Sequence, residues 1–212
     1  MKRLSVFALL LTVVVALAET SPLMLSLCTP IQVPSKRDDI VGLRLSIIYG
    51  ENCEVLGLDL GISQRATDRF YGLELGGVNV VNGRLAGGQI GLVNVNTYAE
   101  EDWSICSKGA QFGIVNYAGS LYGAQDGIVN ISTEKMVGYQ GGLVNCAKDF
   151  TGLQCGCWLF LGVNVATGTV RGCQIGLVNY AETMERGIQL GLVNVISNDG
   201  WLPFFPFING HF

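Results

Sequence analysis

The sequence is poor in the residues that most enzymes use for acid–base and nucleophilic chemistry. Its 212 residues include a single histidine, His211, which lies next to the C-terminus and is a poor candidate for the base of a catalytic triad. The sequence also lacks a phosphate-binding loop, a dinucleotide fingerprint and a His-Glu-x-x-His motif. We therefore predict that the protein is not an enzyme, and we expect no catalytic or metal-ligating residues and no cofactor.

Charge is scarce as well. Charged residues make up 14% of the chain, with 13 basic against 17 acidic residues, and the basic residues form no patch along the sequence. Proteins that bind nucleic acids normally carry such a patch, so we expect no nucleic-acid partner. The chain is instead 49% hydrophobic and contains 29 glycines, a composition that indicates a folded, repetitive β structure.

The N-terminus has the three parts of a secretory signal peptide. Lys2 and Arg3 precede an apolar run at residues 4–17, and Ala16-Leu17-Ala18 provides small residues for cleavage. The run is shorter than the roughly 20 residues that a membrane-spanning helix needs. We therefore predict a signal peptide over residues 1–18, followed by a single all-β repeat domain over residues 19–212.

The domain consists of copies of one unit, Gly-x-Gln-x-Gly-Leu-Val-Asn. Most copies begin 14 or 15 residues apart, which is too short for a helical hairpin, and two or three glycines per unit would weaken any helix. Apolar residues alternate within each unit, which predicts a strand followed by a turn. The copies start at Gly42, Gly57, Gly72, Gly87, Gly109, Gly123, Gly138, Gly152, Gly172 and Gly187.

We assign structural roles to the second glycine and the asparagine of the unit. The glycine lets neighbouring strands or side chains come close, and the asparagine is expected where the strand ends and the turn begins. These residues are Gly91, Asn94, Gly113, Asn116, Gly127, Asn130, Gly142, Asn145, Gly176, Asn179, Gly191 and Asn194.

Two all-β architectures of short strands in 15-residue repeats fit this pattern. The first is an up-and-down antiparallel β-barrel or meander of about twelve strands, which leaves no exposed edge and suits the even strand number and aromatic C-terminal segment of exported barrels. The alternative is a parallel β-solenoid with one coil per unit. In the solenoid, residues such as Leu190 would fill the interior and residues such as Asn194 would stack as a ladder at a corner.

The repeats resemble those of bacterial surface-repeat proteins of the leptospiral type. The resemblance includes "VGLRLSIIYG" at residues 41–50, "GLDLGI" at residues 57–62 and the ending "DGWLPFFPFINGHF" at residues 199–212. It covers the chain from about Leu23 to Phe212, and it departs from the pattern at residues 97–108 and 157–161. The resemblance implies a surface or envelope location and no established catalytic residues.

We therefore expect a non-enzymatic protein of the bacterial cell envelope, located in the outer membrane or at the cell surface, with the periplasm as the alternative. Its role would be structural, surface contact or limited permeation, and the solenoid alternative would make it an exported adhesion or scaffold module. Trp103, in the insertion at residues 97–108, and Trp201, before the last strand, are candidate partner contacts. The sequence indicates no specific partner beyond the envelope.

Overall fold

The computed structural model describes residues 20–100, 102, 105–156 and 161–212, and these residues form strands and turns without a helix. The all-β prediction is confirmed. The predicted signal peptide at residues 1–18 and Trp103 lie outside the described residues. The strands are β1 (Thr20–Cys28), β2 (Ile31–Val33), β3 (Asp39–Val81), β4 (Arg84–Ile90), β5 (Val93–Asn96), β6 (Ser107–Ala118), β7 (Leu121–Gly141), β8 (Val144–Cys155), β9 (Val163–Ile175), β10 (Val178–Asn198) and β11 (Phe204–His211).

The strands stack in parallel, with identical residues of successive repeats side by side. Gln89 of β4 pairs with Gln111 of β6, and Asn94 of β5 pairs with Asn116 of the same strand. The preferred prediction of an antiparallel barrel or meander is therefore wrong, and the alternative, a parallel β-solenoid, is confirmed. Among the described strands, antiparallel pairing occurs at the two ends, between β1 and β2 and between β10 and β11.

One repeat makes a complete coil rather than a single strand, which explains the parallel stacking. β4 and β5 belong to one coil, because both pair with β3 behind them and with β6 ahead. Gly91 and Leu92 form the corner between them. Each unit thus brings the chain back above its own start, and ten glycine-led coils at about 4.8 Å each make a rod roughly 50 Å long.

The first glycine of each unit permits this close stacking. All ten of these glycines have φ between 132° and 151°, a conformation that residues with a side chain rarely adopt. A Cβ atom at Gly87 would overlap the carbonyl oxygen of Gly72 in the preceding coil. The glycine column is therefore required both by backbone conformation and by the distance between coils.

Four side chains of each typical coil point into the interior. In the coil of β4 and β5 they are Leu85, Gln89, Asn94 and Asn96, all fully buried. In the other coils the first row holds mainly large apolar residues such as Phe70 and Met136, and the last row mainly small or apolar ones. The interior therefore contains two largely apolar rows and two rows of amides.

This arrangement reverses the predicted inside and outside of the solenoid. Leu190 and Leu192 are 39% and 54% exposed, whereas Gln189 and Asn194 of the same coil are fully buried. The prediction that Leu190-type residues fill the interior is wrong. Amides can be buried here because the same amide recurs one coil away and satisfies its hydrogen-bonding groups.

Two adjacent glycines provide a test of the stacking. We expect Gly87→Ala to lower the free energy of unfolding by about 3 kcal/mol or more, because the new Cβ meets backbone in a disfavoured conformation. Gly88→Ala is the matched control, since its Cβ would meet the flexible end of Leu73 at 3.0 Å. Urea denaturation followed by circular dichroism measures both, and equal losses would contradict the assignment.

Candidate functional site

An asparagine ladder runs through the interior from the third coil to the tenth. From Asn79 to Asn179, each Nδ2 donates to the Oδ1 of the next asparagine at 2.8–2.9 Å. It also donates to a backbone carbonyl of the following coil at 2.8–3.2 Å, so both amide hydrogens are used. The members are Asn79, Asn94, Asn116, Asn130, Asn145, Asn164, Asn179 and Asn194.

A glutamine ladder runs beside it in the opposite sense. The Nε2 of each glutamine from Gln111 to Gln189 donates to the Oε1 of the preceding one at 2.7–2.8 Å. In several coils the glutamine Nε2 also donates to the backbone carbonyl of the residue six positions later, at 3.0–3.3 Å. An example is the bond from Gln111 to the carbonyl oxygen of Tyr117. These second bonds cross the interior and connect the two strands of one coil.

The structure brings the repeat residues named from the sequence together, but in a different place. The asparagines stack as a ladder, as the solenoid alternative predicted, and they lie inside the rod within strands rather than where a strand ends and a turn begins. The second glycines lie against them: a Cβ at Gly113 would overlap the carbonyl oxygen of Gly91 and lie 2.7 Å from the Nδ2 of Asn94. These glycines therefore leave room for the amide ladder. The glutamines of the repeat complete the buried set.

Charged residues replace glutamine in the first three coils. Arg44, Asp59 and Glu74 occupy the glutamine row, and all three side chains are fully buried. Arg44 pairs with the carboxylate of Asp59, and its Nη1 donates to the carbonyl oxygen of Arg65 at 2.9 Å. Glu74 joins this cluster to the ladder, because its Oε2 accepts a hydrogen bond from Gln89 at 2.7 Å.

Burial determines the protonation of this cluster. Desolvation, reinforced by the negative charge of Asp59, raises the pKa of Glu74 to about 8. Desolvation also raises the pKa of Asp59, against the opposing effect of Arg44. Glu74 therefore carries a proton at neutral pH and can donate a hydrogen bond to the Asp59 carboxylate. This leaves a single ion pair, Arg44 with Asp59, inside the rod.

The outside of the rod carries two adjoining apolar surfaces. The first, here called the valine face, is formed by the outward side chains of the second strand of coils three to ten, that is, the segment after the corner that corresponds to β5. Its sixteen members are partly exposed and uncharged: Val78, Val80, Val93, Val95, Val115, Tyr117, Val129, Ile131, Val144, Cys146, Val163, Val165, Val178, Tyr180, Val193 and Val195. The face is bordered at the corner by a row of exposed aliphatic residues.

That row, here called the apolar ridge, runs along the rod and is interrupted by glycine at Gly77 and Gly162. Its exposed fractions range from 40% to 64%. Its members are Leu27, Ile47, Ile62, Leu92, Ile114, Ile128, Leu143 and Leu192. Apolar residues of the kind that the solenoid alternative placed in the interior therefore form a stripe on the surface of the rod.

Charged side chains gather at the other corner of the coils. They line a groove of about 360 Å³ that includes Lys135, Lys148, Asp149 and Arg171. Lys148 pairs with Glu134 at 2.5 Å, and Asp149 accepts two hydrogen bonds from Thr169 at 2.7 and 2.8 Å. Opposite charges neutralise one another here, and exposed pairs of this kind contribute little to stability.

Trp201 lies at the C-terminal end of the rod and is 50% exposed. Its ring centroid is 5.3 Å from that of Phe212. The neighbouring Phe204 and Phe207 are exposed as well. Trp201 thus belongs to an aromatic cluster at one end, while Trp103, the other candidate contact, is outside the described residues.

The described part of the chain contains no group of three or more His, Cys, Asp or Glu residues placed to hold a metal ion. The same residues include no helix long and apolar enough to cross a membrane. Comparison with known proteins finds no matching family model, no matching curated protein and no matching solved structure. Functional inference therefore depends on the geometry described above and on the motifs of the repeat.

The asparagine ladder predicts a large penalty for removing one amide from its middle. We expect Asn130→Ala to cost roughly 3 kcal/mol, because the Gly141 carbonyl and the amides of Asn116 and Asn145 each lose a buried hydrogen bond. Asn198→Ala, at an exposed site outside the ladder, is the control and should change stability little. Urea unfolding measures the difference, and a cost below that of the control would contradict the ladder's role.

The buried cluster predicts a dependence of stability on pH. Because the pKa of Glu74 is raised from 4.5 when unfolded to about 8 when folded, its contribution is full below about pH 4.5 and is lost as pH rises through about 8. Glu74→Gln should remove this loss, since an amide can donate to Asp59 and accept from Gln89 without ionising. Urea unfolding curves measured below, within and above the range from about pH 4.5 to about pH 8 give the free energy of unfolding that tests this prediction. Glu185→Gln, at an exposed site, is the control. An unchanged slope in Glu74→Gln would contradict the assigned protonation.

Proposed function

We propose that this chain is an exported, non-enzymatic surface-repeat protein of the bacterial cell envelope, in which the β-solenoid acts as a contact or scaffold module. The observation that carries the proposal is the valine face with its apolar ridge. Such an extended apolar surface on the outside of a soluble rod normally marks a contact site. The resemblance of the repeats to surface-repeat proteins and the predicted signal peptide support the envelope location.

A permeation role is left out of this proposal. It depended on a barrel with an open lumen, whereas the interior of the solenoid is filled by side chains such as Leu85, Gln89 and Asn94. A rigid rod is suited instead to presenting a surface. The ladders add rigidity, because each coil is hydrogen-bonded to its neighbours through side chains as well as through backbone.

The valine face has the composition of a contact surface. Its sixteen side chains carry no charge, and the columns beside it contain polar residues such as Thr97, Thr133 and Thr167. An uncharged apolar centre with a polar rim is the usual anatomy of a protein interface. The groove at the other corner is charged, so the rod has one apolar side and one solvated side.

Fractionation of bacteria that express the full chain tests the location. We expect a protein shortened to begin at Glu19, recovered with the envelope and released by urea without detergent. Val14→Arg, which interrupts the apolar run of the leader, is the matched control and should stay unprocessed in the cytoplasm. Mass spectrometry of the N-terminus and immunoblots of the fractions measure both.

Two outcomes would contradict the proposal. Recovery of the unprocessed wild-type chain in the cytoplasm would exclude export. Envelope material that only detergent releases would exclude a peripheral contact or scaffold module, because a surface-bound rod should dissociate when urea weakens its contacts.

A further inference from the structure

We propose that the valine face and its apolar ridge form the interface of a homodimer, in which the second strands of two solenoids pack face to face. The proposal deepens the contact role proposed above and rests on it for the biological setting. The interface itself is a property of the folded rod, so it can be tested in purified protein whatever the location of the chain in the cell.

Parallel sheets are normally covered on both faces. The second strands of the coils form such a sheet, in which Asn94 and its equivalents face inward and pairs such as Val93 and Val95 face outward. Parallel sheets occur almost only where both faces are packed, and their strands then read as continuous apolar runs. Here one face packs on the rod interior, and the other is equally rich in β-branched residues but has no covering element among the described residues.

The apolar surface is large enough for a stable interface. The eight ridge residues and the sixteen residues of the valine face present on the order of 800 Å² of apolar surface, at about 100 Å² for a fully exposed aliphatic side chain. The largest apolar patch of a typical monomer is about 300–600 Å². A stable protein interface buries about 800 Å² on each partner. The surface therefore matches what a dimer needs.

The regular spacing of the surface side chains points to a second copy of the chain as the partner. The outward side chains recur at the coil spacing of about 4.8 Å, so the gaps between them recur at that spacing too. A second copy of the chain presents side chains with the same repeat, and sheets packed face to face about 10 Å apart interdigitate in this way. A twofold axis would place the same patch on both sides, which is the commonest arrangement of homodimers.

A lipid surface fits these residues less well. Helices and patches that bind anionic membranes carry Lys and Arg beside the apolar surface. The valine face and the ridge contain none, the column beside the face holds one lysine, Lys148, which is paired with Glu134, and the net charge of the chain is −4.

The test measures the mass of the purified exported protein in solution, with charge placed on one face or the other of the same coil. We expect the wild type to have twice the chain mass at micromolar concentration by sedimentation velocity and light scattering. Val129→Lys, at the centre of the valine face, should give a monomer. Tyr122→Lys, on the first strand of the same coil and 50% exposed, is the matched control and should stay dimeric.

A milder pair of substitutions guards against misfolding of the lysine variant. Val129→Thr with Val144→Thr keeps the side-chain shape and the β preference, and we expect it to raise the dimer dissociation constant at least ~10-fold while circular dichroism stays unchanged.

A wild type that is monomeric would overturn the proposal, and its co-sedimentation with vesicles of phosphatidylethanolamine and phosphatidylglycerol would assign the surface to lipid instead. A dimer broken by Tyr122→Lys but kept in both valine variants would place the interface on the opposite face. These solution results are independent of the fractionation experiment, so failure of either leaves the other interpretable.

Discussion

Side-chain amides that bond to their own copies one coil away are the interaction on which the rest of this structure depends. A buried amide without partners would cost the rod several kcal/mol per coil, but stacking at the β spacing gives each asparagine an acceptor and a donor in its neighbours. This works only if identical residues lie in register. The ladder thus selects parallel coils over antiparallel hairpins, in which Asn94 would lie opposite a different residue of the next repeat.

The ladders also explain the distribution of glycine and of apolar residues. Amides need coils at close spacing, and the glycines with positive φ, such as Gly87, supply it by removing the Cβ that would meet the previous coil. The narrow interior holds only four side chains per coil, and two of them are amides. Leucines such as Leu192 therefore have no place inside, and they form the apolar surface that a partner can cover.

The N-terminal coils show how a ladder can change composition without losing its pairing. Arg44, Asp59 and Glu74 continue the glutamine row with one ion pair and one protonated acid, so the buried charge is balanced and the first amide, Gln89, still finds an acceptor. Buried ion pairs are rarely a source of large stability, because desolvation opposes the attraction. The cluster makes one end of the rod chemically distinct, with acids whose pKa values burial raises.

Sequence periodicity by itself determined that the chain is all-β, that its unit is about fifteen residues long and that Gly and Asn recur for structural reasons. Periodicity did not determine which face of the strands is buried, because either of the two sets of alternating side chains can point inward. Hydrophobicity alone favoured burying the set that contains Leu190 and Leu192. The sequence shows that Arg44, Asp59 and Glu74 stand where later repeats have glutamine. Only the folded structure shows that these three side chains are buried together. Tertiary structure decided which side chains are buried, because the free energy of burying an amide depends on whether a hydrogen-bonding partner lies one coil away. The stacking of the coils sets that partner.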